Sequence, residues 1–280
     1  MAAAIWAIFI ERALFVIRRQ SIKVLPSGSE PIRVLQIGDI HLAPWQKRKI
    51  SFLKSLSNQD FDFVVNTGDN LGHKNAVPSL VDALGPILKR PGVFVNGSND
   101  YFAPVPKNPL SYLLRSSAKP NSAPLDTDSM VSAFEKSGWV NLNNSNAKLK
   151  INNLEISFIG VDDRHINRAD LSKVSAGEGF TIALTHAPYL EILEGLTDLG
   201  ASVIFAGHTH GGQVRLPIIG ALTTNCDLPN AYARGLSGWE FGERSVILSV
   251  VAGLGNSIFA PIGFSVGPRC EFLPCSPLDF

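Results

Sequence analysis

Apolar positions in this chain come in short solid blocks, separated by longer stretches where they recur at the spacing of one helix face. The blocks 32–37, 61–65 and 92–95 read as buried strands. Between them, 46–58 and 78–90 read as helices, the second with Pro78 in its first turn. Further on, 149–151 and 154–159 flank Asn152-Asn153, a hairpin signal weaker than Asn-Gly. Two more buried strands, 180–184 and 202–205, enclose a helix over 188–199, and 244–251 is a late strand. Alternation early and hairpins later predict an α/β layered domain with mixed sheets.

The ends and one long insertion depart from this rhythm. Residues 1–10 carry no charge, Glu11 and Arg12 interrupt, 13–17 are apolar and Arg18-Arg19 close the run. A spanning helix needs about 20 mostly apolar residues, and a signal peptide would carry its basic residues first. Residues 1–30 are therefore expected to be an amphipathic helix plus linker, lying either on a membrane surface or on the protein's own body. A single catalytic domain is expected over 31–280 after the linker 26–31. Within it, 101–127 holds five prolines around Leu110, Leu113 and Leu114, with Lys107, Arg115 and Lys119 nearby, and reads as a lid-like loop.

Composition narrows the function. A hydrophobic share of 45% with 18% charged residues excludes global disorder. A net charge of +1 gives no footing for a polyanionic polymer, so no nucleic-acid partner is expected. Cys226, Cys270 and Cys275 form no CxxC pair and suit free thiols in a reducing, cytoplasmic setting, with peripheral membrane contact through the N-terminal segment.

The chemistry is concentrated in five short segments, each following a predicted strand: Gly38-Asp39-Ile40-His41, Gly68-Asp69-Asn70, Gly97-Ser98-Asn99-Asp100, Thr185-His186 and Gly207-His208-Thr209-His210-Gly211-Gly212. Four of the six histidines fall inside them. Asp, Asn and His donate oxygen and nitrogen to first-row divalent cations. Open α/β sheets gather ligands at the carboxyl ends of their strands, so five donor turns in sequence point to one metal site, and to two metals. Asp39 and His41 lie two apart, as do His208 and His210, a spacing that gives one donor to each of two neighbouring ions.

These segments resemble the signature of the calcineurin-like metallophosphoesterases: Asp-x-His, Gly-Asp, Gly-Asn-His-Asp/Glu, a lone His, then Gly-His-x-His. Four of the five match in order and type, across roughly 32–251. The His-Thr-His-Gly-Gly-Gln form and the earlier Val161-Asp162-Asp163 are most similar to a bacterial, membrane-associated branch acting on lipid-linked phosphates. The resemblance implies a layered α/β/β/α sandwich with two mixed sheets. It implies Asp39, His41 and His210 on a first metal, His186 and His208 on a second, and Asp69 bridging them. It further implies a metal-held hydroxide attacking a phosphodiester, phosphomonoester or pyrophosphate bond of a phosphorylated small-molecule or lipid-linked substrate. Mixed oxygen and nitrogen donors suit Mn first, then Fe or Zn.

The third segment departs from the pattern, with Ser98 and Asn99 where Asn and His are expected. Asn99 is expected to reach the second metal, and the missing histidine leaves the leaving-group acid to His73, His165 or Asp100. The same departure keeps open a rival reading, a metal-binding but non-catalytic scaffold.

Overall fold

The parallel strands that precede the donor segments form the middle of two sheets. In chain order the strands are β1 (Val16–Arg19), β2 (Ile22–Leu25), β3 (Ile32–Ile37), β4 (Phe63–Asn66), β5 (Gly92–Phe94), β6 (Val140–Asn141), β7 (Ser145–Ile151) and β8 (Leu154–Gly160). They continue with β9 (Thr181–Leu184), β10 (Val203–Ala206), β11 (Arg215–Leu216), β12 (Gly220–Ala221), β13 (Gly235–Phe241), β14 (Arg244–Val250) and β15 (Arg269–Pro277). The helices are α1 (Lys47–Ser55), α2 (Val77–Leu88), α3 (Ser98–Tyr101), α4 (Thr127–Lys136) and α5 (Leu190–Asp198). This computed structural model describes residues 14–105, 122–212, 215–216, 220–255 and 267–278.

The first sheet runs β1-β15-β3-β4-β5-β6, with β2 also on β15; the second runs β13-β14-β10-β9-β8-β7. Both are mixed. Strands β3 to β6 are parallel and β15 is antiparallel to β3. In the second sheet β14, β10, β9 and β8 are parallel, flanked by the antiparallel β13 and β7. Alternation along each strand sends one set of side chains between the sheets and the other outward. Val34, Phe63, Val65, Val93 and Val95 meet Ile156, Phe158, Ile182, Leu184 and Phe205 in the layer between them. On the outer face of the first sheet, Leu35, Ile37, Val64 and Phe94 pack on Leu53, Leu80, Leu84 and Phe134 of α1, α2 and α4. On the other outer face, Ile204 and Leu248 pack on Ile192, Leu193 and Leu196 of α5. The result is the expected α/β/β/α sandwich.

One expectation changes. The segment expected to be helical is extended from Val16 onward, because β1 and β2 add to the edge of the first sheet through β15. The folded body therefore includes residues before the 26–31 linker, while 1–13 lie outside the described residues. The C-terminal stretch, with Pro274 and Pro277, reads poorly as a strand, yet β15 is sandwiched between β3 and the β1/β2 edge. Pro274 is tolerated because β1 pairs with 269–272 and β2 only from Cys275, so it falls in the gap between those ladders. Of the lid-like loop, Leu110, Leu113, Leu114, Lys107, Arg115 and Lys119 lie outside the described residues. Its two ends pair with each other, Ala103 N–H to Ala123 O at 2.8 Å and Leu125 N–H to Tyr101 O at 2.8 Å. Helix α4 went unpredicted; Asp126 caps it by accepting from the Ser129 N–H at 3.2 Å.

Among the described residues, no helix is long and apolar enough to cross a membrane.

Candidate metal centre

The five donor segments leave the carboxyl ends of β3, β4, β5, β9 and β10 and meet where the two sheets face each other. Their loops are extensions of the ladders below them: Thr67 N–H donates to Ile37 O, Asp39 N–H to Gly68 O and His41 N–H to Asp69 O. Thr185 N–H donates to Phe205 O and Gly207 N–H to His186 O in the second sheet. To turn side chains inward at this level the backbone adopts left-handed angles. Asp39 (φ 47°), His41 (43°), Asp69 (55°), His208 (68°) and His210 (49°) all have positive φ, and every other such non-glycine residue described is an asparagine. Each costs on the order of 1–3 kcal/mol, and such strain collects at functional sites.

The donors converge closely. His41 Nε2 and His210 Nε2 are 3.3 Å apart, and His210 Nε2 is 3.7 Å from Asp39 Oδ1. His186 Nε2 is 3.3 Å from His208 Nδ1. Asp69 Oδ2 stands 3.5 Å from both His41 Nε2 and His186 Nε2. Atoms of Asp39, His41 and His210, and of Asp39, Asp69 and His186, fall into two groups within 4.8 Å. Orientation is fixed from behind. His186 Nδ1 meets Thr67 O at 2.8 Å, and His208 Nε2 meets Asn225 O at 3.3 Å, so the opposite nitrogen of each ring faces the centre. Asp39 accepts from the His208 N–H at 3.0 and 3.1 Å, and Lys49 of α1 donates to Ile40 O at 2.6 Å beneath the first loop.

Electrostatics follow from burying acids and bases together. Burial pushes Asp39 up and drives His41 down to about 3. His208 is also well below its ordinary range, through burial and then the neighbouring His165 and His186. Burial acts to raise Asp69, but His186, His41 and two hydrogen bonds from Asn99 outweigh it and hold the carboxylate well below its usual range. Burial acts to lower His186, yet Asp69, Asp163 and Asp39 lift it to about 9. Nitrogen and oxygen lone pairs thus face one another, and Nδ1 of both His41 and His210 is buried without a hydrogen-bond partner among the described residues. This donor set fits divalent cations, which would displace the proton on His186.

Of the expected residues, Asp39, His41, Asp69, His186, His208 and His210 are brought together, and Asn99 joins them. Asn99 Nδ2 donates to Asp69 Oδ2 and its backbone N–H to Asp69 Oδ1, both at 2.7 Å. The three candidate acids separate. Asp100 is fully buried and accepts backbone N–H bonds from Asp69, Asn70, Leu71 and Gly97, and we assign it to bracing the loops. His73 stacks edge-on against the exposed Trp45, ring centres 4.9 Å apart, and accepts from the Asn75 N–H. Of the two candidate histidines, His165 packs against a donor ring, its ring centre 4.6 Å from that of His208 and its Nδ1 3.0 Å from the Tyr189 hydroxyl. Sequence reading missed Thr67, Asn225, Lys49 and Tyr189, whose roles depend on backbone carbonyls or on contacts far along the chain.

Residues 32–212 match the calcineurin-like phosphoesterase family. The chain is 24% identical over 192 residues to an uncharacterized metallophosphoesterase, YkoQ, of Bacillus subtilis, covering 66% of this chain and 63% of that protein. It is 26% identical over 212 residues to a transmembrane protein with metallophosphoesterase domain of Danio rerio, covering 69% of this chain and 43% of that one. This chain thus spans under two thirds of the length of both relatives. Among solved structures it is similar to a phosphopantetheinyl hydrolase, PptH, of Mycobacterium tuberculosis, at 11% identity and a TM-score of 0.44, covering 83% of this chain and 92% of that one.

Proposed function

The chain belongs to the calcineurin-like phosphoesterase family, and from that premise we propose a two-metal phosphoester hydrolase, with Mn as the first-choice metal. The observation that carries the two-metal reading is the position of Asp69, whose Oδ2 is equidistant, at 3.5 Å, from a ring nitrogen of each histidine pair. Asp39, His41 and His210 would hold one ion, His186, His208 and Asn99 the other, with Asp69 shared. When bound, two such ions supply a hydroxide nucleophile at neutral pH and neutralise charge on the phosphoryl oxygens.

The protein's own part is to hold these donors in place and to manage the leaving group. Thr67 O and Asn225 O fix which nitrogen of His186 and of His208 faces inward. His165, braced by Tyr189, is the group we assign to the leaving-group oxygen, since it borders the second-metal side where the family's motif histidine is replaced by Asn99. The substrate we propose has an apolar, lipid-like portion. Support comes from the uncharged 1–10 segment with Trp6 and Phe9, followed by Arg12, which suits peripheral contact with a membrane. The metallophosphoesterase relatives named as transmembrane proteins are in keeping with that setting.

Hydrolysis of bis-p-nitrophenyl phosphate and p-nitrophenyl phosphate by metal-free protein titrated with Mn, beside Asp69→Asn, tests the proposal. Mn-dependent turnover lost in the variant is the expected result. The altered third segment favours one alternative, a metal-loaded but non-catalytic module. Two bound Mn without turnover on these esters or on lipid pyrophosphates would select it. For the membrane part, truncation stops at residue 13, since β1 belongs to the sheet. Unchanged vesicle partitioning after that truncation refutes it.

A further inference from the structure

The pair Asp162-Asp163 follows β8 and supplies no donor to the centre, yet Asp162 is 4% exposed and heavily engaged. It accepts the Tyr101 hydroxyl at 2.9 and 3.0 Å, Arg168 Nε at 3.0 Å and the Asp163 N–H at 2.7 Å. The Arg168 guanidinium covers the Tyr101 ring at 4.1 Å, and Asn96 Nδ2 donates to the same hydroxyl at 3.1 Å. Tyr101 ends α3, two residues after Asn99, and α3 hangs from the first sheet. Asp162 opens the loop in which Asp163 accepts the His165 N–H at 2.8 Å and His165 lies against His208, and that loop hangs from the second sheet.

We infer that the Tyr101–Asp162 hydrogen bond sets the spacing of the second-metal position and thereby its affinity, an inference that rests on the two-metal reading above. The donors of that position divide as the tie does, with Asn99 from the first sheet and His186 and His208 from the second. The bond crosses between the sheets at the level of Asn99. The first-metal flank does not depend on Tyr101 or Asp162: Asp39 accepts the His208 backbone N–H, and its own N–H and carbonyl are tied to Gly68 and Leu254. Tyr101 and Asp162 are therefore positioning residues, acting through Asn99 and the 162–165 loop. Groups that orient ligands from behind change metal affinity by about 10–100-fold when removed.

The test is calorimetric titration of metal-free full-length protein with MnCl2, alongside the EPR signal of an exchange-coupled Mn pair. His208→Asn and His210→Asn identify which binding step belongs to which position. Tyr101→Phe, which keeps the ring under Arg168, is expected to weaken the second-position step about tenfold and to diminish the coupled signal. The first step should stay within about twofold and apo thermal unfolding should be little changed. Asp162→Ala should behave like Tyr101→Phe, whereas Asp162→Asn, which retains an acceptor for the hydroxyl, should restore most of the affinity. Equal weakening of both steps, or no change in either, overturns the tie. Wild-type protein that takes up a single Mn overturns the two-metal reading instead.

Discussion

Replacing Gly207 with alanine isolates the packing of the first-metal carboxylate. Gly207 does not have positive φ, so alanine meets no backbone strain there; the penalty is steric. A Cβ at this position would lie 2.6 Å from Asp39 Oδ2 and 2.9 Å from Thr67 Oγ1. Ordinary contact begins near 3.4 Å, so the carboxylate must retreat by about 0.8 Å. Its retreat is blocked, because Gly253 already packs against Asp39, with a Cβ built there falling only 2.5 Å from Asp39 Cβ. Overpacking of this kind costs about 1–3 kcal/mol. With an unfolding entropy of about 0.6 kcal/mol/K for 280 residues, Tm falls by about 2–5 °C. Displacing a ligand by most of an ångström should lower kcat/KM by about 10–100-fold and weaken Mn binding. Gly238→Ala is the paired control: it is exposed in β13 with nothing within 4 Å of a new Cβ, and should stabilise by about 0.5–1 kcal/mol with unchanged activity. Thermal unfolding, Mn titration and bis-p-nitrophenyl phosphate turnover of both variants decide it. Gly207→Ala with wild-type turnover and Mn affinity would show that Asp39 has room to move, and the steric argument fails.

Other outcomes are equally specific. Asp100→Ala leaves four buried backbone N–H groups without their acceptor and should cost about 4 kcal/mol or more in urea unfolding; a loss under about 1 kcal/mol would return Asp100 to the candidate acids. Glu271, buried with neither carboxylate oxygen hydrogen-bonded among the described residues, is pushed up to about 7 by burial, against the pull of Arg18, Arg269 and Arg234. A carboxyl that holds its proton more tightly when folded gives its full stability below about pH 4.5 and loses it as pH rises through about 7, at most about 3 kcal/mol. Glu271→Gln should flatten that slope in unfolding measured from pH 5 to 8, and a wild-type curve that rises across the window would contradict the assignment. Chelation should lower Tm relative to protein held at about 100 times the Mn Kd, where binding adds about 2.7 kcal/mol; identical unfolding with and without Mn would speak against a metal centre.

Much of the fold was legible because the buried parallel strands are written as solid apolar blocks. The predicted strands at 32–37, 92–95 and 154–159 lie within a residue or two of β3, β5 and β8. What failed were elements whose pattern is spoiled by position. Strand β1 is an edge strand carrying Arg18 and Arg19 with mostly exposed side chains, so next to an apolar run it looks like an amphipathic helix. Strand β15 contains Pro274, acceptable only because the partner strands on that side leave a gap, which is a fact of topology and not of local sequence. Strand β6 is two residues long and too short to carry a period.

The centre was legible by residue type for a different reason. The backbone places side chains inward at the ends of strands, and at five of the seven donors it does so with left-handed angles. Among residues with side chains, Asp, Asn and His tolerate that region better than most, so one short list of amino acids meets both the conformational and the coordination demand. That overlap explains why Asp39, His41, Asp69, His208 and His210 stand out in the sequence and also appear as its conformational outliers. Asp100 shows another use of the same residue type. Asp100 shares their chemistry and their neighbourhood, but its φ is not positive, and its carboxylate turns back on backbone N–H groups. The strain spread over five donors is sustained by the ladders beneath them, and binding cations across those donors is the interaction best placed to offset it.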